Sequence, residues 1–265
     1  MTIEKDIELI RSFHNRISNI YFEKKIVPLR GFGTDGFTYP YELPNGKNLI
    51  QWTHTVFNDI MPIKEIIKNN DELLFLSDEI VYFIALLYLY QPFLGNSLNN
   101  PIIINNENFY IADQTIEEKR HDMFVDILYE KTYSFFDRIA ILISKFFPTK
   151  FLKKENIHYH KTIETLKNDY ITNDDFAWLL RFRDNEYKIM NNERRNAVHN
   201  ISTVTKNFNS QRFINYKDYE GTKGLIERKF EYADYFKHTH TLCIEGFEMT
   251  LSFLEYVKSQ RGVLS

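Results

Sequence analysis

Residues 191–200 read Asn-Asn-Glu-Arg-Arg-Asn-Ala-Val-His-Asn and bring two arginines, an amide and a histidine into six positions. If this stretch is helical, Arg195 and His199 lie four residues apart on one face, with Asn196 beside them. A guanidinium binds phosphate through a planar fork of donors, and an imidazole exchanges a proton near neutral pH. Together these groups are the components of a metal-free site for cleaving RNA. The other interpretation, which residue types alone favour, is a polar helix end whose basic residues offset the helix dipole.

Apolar residues recur at helical spacing on both sides of this stretch, and this pattern predicts an all-α fold. The C-terminal part should be an antiparallel bundle, because its helices are long and their connections are short. Its four main helices are predicted at residues 114–147, 155–170, 173–199 and 222–260. Thr172 or Asn173 should cap the helix that carries the arginines.

The first 113 residues form a separate N-terminal helical region in this interpretation, and residues 114–265 form the bundle. Helices are predicted at 4–24 and at 49–69, where Pro62 is a candidate kink. A third, capped by Asp71 or Ser77, should run to about Tyr90. Residues 26–48 are rich in proline and glycine and read as a loop. Their Gly31–Gly36 segment fits a dinucleotide-binding pattern, but it lacks the flanking strand and helix. Residues 102–111 predict a small hairpin.

Composition excludes several classes of protein and site. The net charge of −3 provides no global attraction to nucleic acid, so any RNA contact must use a local patch. The single cysteine, Cys243, rules out an internal disulfide and a cysteine zinc site, and it is expected in the core. The apolar segment 80–94 is too short to span a bilayer, and residues 1–6 do not resemble a signal peptide. We therefore expect a cytoplasmic protein with no membrane partner.

Histidines form two His-x-His pairs, at residues 158–160 and 238–240. On a helix, residues two apart point to opposite sides, so neither pair chelates a metal well. We predict no metal and no cofactor. His240 is expected in the core with a bonded ring nitrogen, and the other three histidines are expected to be exposed.

The helix predicted at 114–147 carries the remaining candidate residues. Asp126, Glu130, Tyr133 and Asp137 share one face, which is most simply a solvated acidic stripe. Asp137, however, is flanked by apolar residues and needs a partner, for which Arg194 or Arg195 is a candidate. Lys150 and Lys153 belong to a basic cluster after this helix, which complements the helix end or contacts an RNA backbone. We assign Asp137, Lys150 and Lys153 to a substrate-binding set.

Two motifs resemble the HEPN superfamily of small all-helical domains. Arg194 and His199 enclose four residues, as in the family's Arg-x(4–6)-His motif. Tyr133–Ala140 is similar to the aromatic-Asp-basic-Ile-Ala helix of some bacterial members. Members usually carry a polar residue, often asparagine, directly after the motif arginine. Because Arg195 fills that place and Asn196 follows it, either arginine is a candidate. The resemblance covers about residues 114–260.

The resemblance implies an RNA-binding protein that acts as a metal-independent endoribonuclease, in a toxin–antitoxin or phage-defence system. His199 would transfer the proton, Arg194 or Arg195 would hold the phosphate, and Asn196 would orient them. The family also implies a homodimer with both motifs at one cleft, and an antitoxin or defence partner protein. The alternative is a non-catalytic HEPN-like scaffold that binds a protein, RNA or nucleotide.

Overall fold

The computed structural model describes residues 3–29, 46–110, 115–151, 157–197, 202, 203, 206 and 216–263. Apart from one hairpin, the regular structure of these residues is helical, so the all-α prediction is confirmed. In chain order the elements are α1 (Ile3–Lys24), α2 (Leu49–Phe57), α3 (Ile63–Tyr90), α4 (Asn96–Asn99), β1 (Ile102–Ile104), β2 (Glu107–Phe109), α5 (Ile116–Phe146), α6 (Tyr159–Tyr170), α7 (Asp174–Asp184), α8 (Glu186–Arg195) and α9 (Tyr219–Val263). A short 3₁₀ turn, Gln91–Phe93, follows α3.

The chain divides into two compact units that interleave along the sequence. Unit A comprises Met1–Ile26, Ile80–Glu130 and Glu193–His238. Unit B comprises Val27–Glu79, Lys131–Asn192 and Thr239–Ser265. The boundary predicted near residue 113 is not tested by this division and stays a prediction.

In unit A, a reciprocal cap lies at the start of α5, within the Ile80–Glu130 segment. Thr115 Oγ accepts the Glu118 backbone N–H at 3.2 Å, and Glu118 Oε2 accepts the Thr115 N–H at 3.1 Å. This is a capping box, which satisfies donors that the first helical turn leaves unpaired. The other oxygen of Glu118 accepts the Gly95 N–H at 3.2 Å, so the same buried carboxylate also ties the α3–α4 turn to α5.

Unit B is built around an aromatic cluster. The rings of Phe136 and Phe182 lie 4.4 Å apart, and those of Phe136 and Tyr159 lie 5.1 Å apart. Gly246 on α9 faces this cluster, and a Cβ atom at that position would lie 2.9 Å from Phe136 Cε1. Because Gly246 has no side chain, the Phe136 ring can pack directly against the backbone of α9.

The single helix predicted at 173–199 is wrong, because the chain breaks at Asn185 between α7 and α8. Asn185 has φ −110° and ψ −93°, outside the helical region. Its backbone N–H and its side-chain amide both donate to the Arg181 carbonyl, at 3.1 and 2.9 Å. An asparagine side chain that competes for a helix carbonyl is a common local helix terminator. The predicted N-cap is confirmed for Asn173, whose Oδ1 accepts the Phe176 N–H at 2.9 Å.

Between residues 49 and 90 the predicted start at Leu49 and end near Tyr90 are confirmed, but the boundaries inside this range are wrong. The first helix stops at Phe57, and α3 begins directly after Pro62, a position where the missing N–H of proline costs nothing. The second runs without interruption through Asp71 and Ser77, so neither residue caps a helix. Ser77 Oγ instead accepts the Leu29 N–H at 2.9 Å inside unit B.

The predicted hairpin is confirmed for the described residues 102–109. Ile102 pairs with Phe109, and Ile104 pairs with Glu107. Asn105 and Asn106 form the turn with φ values of 49° and 62°, the left-handed pair that two-residue hairpins require. Ile111 and the glycine segment 31–36 lie outside the described residues.

Among the described residues, one helix is long and apolar enough to cross a membrane, so the expectation that the apolar segment 80–94 is too short does not hold for the helix that contains most of it. This helix spans Ile63–Phe93, and 61% of its apolar window is buried inside the protein. Such burial is typical of the core helix of a soluble protein. The cytoplasmic location stays a prediction.

Candidate functional site

The motif arginines lie at the C-terminal end of α8. Arg194 is half-buried, and its Nε atom is removed from solvent, whereas Arg195 and Asn196 are exposed. Asn196 and Ala197 continue α8 in a wider π-helical turn. His199 lies outside the described residues, so the common face of Arg195, Asn196 and His199 stays a prediction.

Residues before and after the motif are held by polar contacts within unit A. Glu193 forms an ion pair with Lys206, with Oε2 and Nζ 3.1 Å apart. Thr203 donates its backbone N–H to both Asp126 oxygens, at 3.1 and 3.2 Å, and its hydroxyl to Oδ1 at 2.5 Å. The Asp126 carboxylate on α5 therefore fixes Thr203, four residues after His199 in the chain.

The ionisation of Asp126 is shaped by opposing effects. Burial raises the pKa of its carboxyl group, while the hydrogen bonds from Thr203 lower it and the charge of Asp122 raises it again. The net result is a pKa above the ordinary value for aspartate. The pKa of Tyr232 on α9 is raised to about 12. Burial is the largest cause, and the nearby carboxylates of Asp122, Glu193 and Asp126 add to it.

Unit A also contains a buried ion pair between α5 and α9. Asp122 Oδ2 lies 2.9 Å from Lys229 Nζ, and the two side chains are 0% and 2% exposed. The neighbouring His121 is fully buried, with Nδ1 3.7 Å from Asp122 Oδ1. Neither ring nitrogen of His121 has a hydrogen-bond partner among the residues that the structure describes. We call His121, Asp122, Asp126, Lys229 and Tyr232 the unit A polar cluster.

The residues assigned to substrate binding have local structural partners in unit B. Asp137 accepts the Tyr159 N–H at 3.1 Å and pairs with His158 Nδ1 at 3.2 Å. It therefore serves the start of α6, where backbone N–H groups lack helical partners, rather than an arginine of the motif. Lys150 forms an ion pair with Asp169 at the far end of α6. Lys153 lies outside the described residues, and the substrate-binding role of all three stays a prediction.

Histidine and cysteine positions agree with expectation. His240 is buried, with Nε2 3.1 Å from Ser77 Oγ, and burial lowers its pKa to about 4. The other members of the two His-x-His pairs, His158, His160 and His238, are exposed. Cys243 is buried, and burial raises its pKa. Within the described ranges, no group of three or more His, Cys, Asp or Glu side chains is placed to hold a metal ion.

Sequence reasoning missed the unit A polar cluster almost entirely. Asp126 had been assigned to a solvated acidic stripe, yet its carboxylate is half-buried and bonded to Thr203. The apolar residues that flank Asp122 and Asp126, such as Phe124 and Val125, were the available signal that this part of α5 is buried. No family model matches the chain, and neither the curated proteins nor the solved structures provide a match.

Proposed function

We propose that this chain is a HEPN-like RNA-binding protein that acts as a metal-independent endoribonuclease in a toxin or phage-defence system. The observation that supports the proposal best is the exposure of Arg195 and Asn196 at the end of α8, four and three residues before His199. An exposed guanidinium is available to a phosphate. The proposal includes a helical bundle of HEPN type and a homodimer whose two motifs share one cleft.

The proposed reaction needs a proton carrier and phosphate donors. His199 accepts the proton of the RNA 2′-hydroxyl as that oxygen attacks the adjacent phosphorus. The bond from phosphorus to the 5′-oxygen breaks, that oxygen takes up a proton, and the products are a 2′,3′-cyclic phosphate and a 5′-hydroxyl end. The guanidinium of Arg195 stabilises the charge that grows on the phosphate, and Asn196 orients the group.

The two arginines are assigned different roles because their exposure differs. Arg195 is exposed and is the phosphate-binding residue of the proposal. Arg194 is half-buried with its Nε atom removed from solvent, so it anchors the end of α8 in unit A. Arg195→Ala should therefore reduce the cleavage rate with little effect on stability. Arg194→Ala should reduce the free energy of unfolding.

An RNA-cleavage assay in EDTA tests the proposal. His199→Ala should lower the rate roughly a hundredfold or more, the usual scale for losing one general acid–base group. His238→Ala is the matched control, because His238 is an exposed histidine of unit A and should have no effect. DNA should survive, since it lacks the attacking 2′-hydroxyl. Cleavage that stops with EDTA, or that persists in His199→Ala, would contradict the proposed chemistry.

The ion pairs near the motif favour a second candidate function. Glu193 pairs with Lys206, and Asp122 pairs with Lys229, so these charges stabilise the fold of unit A. A non-catalytic HEPN-like scaffold that binds a protein, RNA or nucleotide is consistent with this structural pairing. RNA that binds without being cut, with an affinity unaffected by His199→Ala, would support the scaffold.

A further inference from the structure

Helix α1 carries one apolar stripe that is only partly used inside the protein. Ile7, Ile10, His14, Ile17 and Tyr21 follow one another at spacings of three or four residues and share one face. The C-terminal part of this stripe packs within unit A, where Ile17 is only 5% exposed. The N-terminal part is exposed, with Ile7 at 43% and Ile10 at 57%.

The exposed part of the stripe has charged residues on one flank. Glu4 and Arg11 are seven residues apart, so they project from the same side of the helix, next to Ile7 and Ile10. Spacings of three and four with charged flanks are the pattern of a helix that pairs with another helix. Because Glu4 and Arg11 carry opposite charges, a matching second helix should present an arginine or lysine opposite Glu4 and a carboxylate opposite Arg11.

We propose that the N-terminal half of α1 is a docking surface for the same segment of a second copy of this chain, arranged antiparallel. In this arrangement Ile7 of each copy packs against Ile10 of the other. Two-fold symmetry then brings the same flanks together, and Glu4 of each copy meets Arg11 of the other. The surface is therefore complementary to itself in charge as well as in apolar contact.

The antiparallel direction follows from the distribution of the acidic residues. Glu4, Asp6 and Glu8, with Lys5 among them, give the first two turns of α1 a net negative charge. A parallel pair would bring both sets of three carboxylates together at one end, where like charges repel. The antiparallel pair separates the two sets and also places the helix dipoles in opposite directions.

A cavity at the junction between the packed and exposed parts of α1 supports the same occupant. It measures about 180 Å³ and is lined by Phe13, His14, Ile17 and Tyr21 of α1 and by Tyr82 of α3. It lies within unit A, at the point where the stripe leaves the body of the unit. In the proposed register the N-terminal end of the second α1 reaches Phe13 and His14, at the edge of this cavity.

The test is the oligomeric state of the full chain, measured by sedimentation equilibrium over a micromolar to sub-millimolar range. The wild type should dimerise, and Ile10→Glu should raise the dissociation constant more than about tenfold, because the symmetric contact buries the new carboxylate twice. Leu9→Glu is the matched control, since Leu9 is 68% exposed and projects about 100° away from Ile10 around the helix, outside the apolar stripe, and should leave the dimer unchanged. Circular dichroism would verify that each variant is folded.

Charge exchange tests the register. Glu4→Arg alone and Arg11→Glu alone should each weaken the dimer roughly threefold to tenfold, because two symmetric contacts become repulsive. The double variant should recover the wild-type dissociation constant. A wild type that stays monomeric overturns the proposal, as does an Ile10→Glu variant that dimerises normally. Recovery of Arg11→Glu by Asp6→Arg, instead of by Glu4→Arg, overturns the antiparallel register. A monomeric wild type would also contradict the homodimer of the proposed function, whereas normal dimerisation of Ile10→Glu would overturn only the α1 interface. None of these results depends on RNA cleavage, so the proposed chemistry is tested separately.

Discussion

Replacing His240 by glutamine should remove a pH-dependent part of the stability of the protein. His240 is fully enclosed in unit B, and the Ser77 hydroxyl lies 3.1 Å from its Nε2 atom. Since that hydroxyl already accepts the Leu29 N–H, its own hydrogen is available to donate to an unprotonated Nε2. The site therefore suits the neutral imidazole, and burial disfavours the charged form.

The size and sign of the effect follow from the pKa of His240, which burial lowers from 6.5 to about 4. Above pH 6.5 the imidazole is neutral in both the folded and the unfolded chain, and the full stability is present. As the pH falls below 6.5, His240 becomes protonated in the unfolded chain but stays neutral in the folded protein, so the free energy of unfolding decreases. The decrease should reach about 3 kcal/mol near pH 4, because each pH unit between the two pKa values corresponds to about 1.4 kcal/mol.

Urea denaturation followed by circular dichroism, from neutral pH to pH 4, provides the measurement. Subtracting the values for His240→Gln removes the contribution of carboxylates that titrate in the same range. The wild type should lose its advantage over this variant as the pH falls. His238→Gln is the control, because His238 is exposed two residues away on α9 and should show no such trend. A constant difference between wild type and His240→Gln, or an NMR titration of His240 near pH 6.5, would refute the reasoning.

Two further predictions concern packing and buried charge. Lys229→Met should lower the free energy of unfolding by about 3–5 kcal/mol, because Asp122 would stay buried without its cation. Lys223→Met changes a partly exposed lysine of the same helix and should alter the free energy of unfolding by less than about 0.5 kcal/mol. Equal effects of the two variants in urea denaturation would contradict the argument. Gly246→Ala should cost about 1–3 kcal/mol despite the better helix propensity of alanine, because the new Cβ atom would meet the buried Phe136 ring at 2.9 Å. A thermal melt that is unchanged in Gly246→Ala would show that the ring can move aside.

The sequence was informative wherever structure depends on residues close together in the chain. Apolar spacing predicted most of the helical segments and the hairpin near residues 102–111. The loop of that hairpin was expected at residues 105–108, whereas Glu107 and Asn108 belong to β2 and the turn is Asn105–Asn106. The break at Asn185 was missed because it depends on a hydrogen bond from the Asn185 side chain to the Arg181 carbonyl. An asparagine within a helical pattern can either continue the helix or end it through such a bond. Pattern and propensity therefore predicted the elements better than their ends.

The candidate site was less accessible to sequence reasoning, because its contacts join residues far apart in the chain. Asp126 and Thr203 are 77 positions apart, and Asp122 and Lys229 are 107 apart. Periodicity assigns Asp126 to a face of α5, but it does not say which segment covers that face. The predicted pairing of Asp137 with Arg194 or Arg195 was wrong for the same reason. Its partner is His158, which directly precedes α6 and lies 21 positions further along the chain.

Both tryptophans of the chain, Trp52 and Trp178, belong to unit B. The Trp52 indole donates to Glu255 at 3.1 Å beneath the Lys47 ammonium, and Trp178 is stacked on Phe182 at 5.4 Å. Their fluorescence emission is therefore a signal from unit B alone, whereas helical ellipticity is lost from both units. Superimposed fluorescence and ellipticity curves would identify unfolding as one transition, and separated curves would give each unit its own midpoint. The two tryptophans therefore report on the unfolding of unit B without any added fluorescent label.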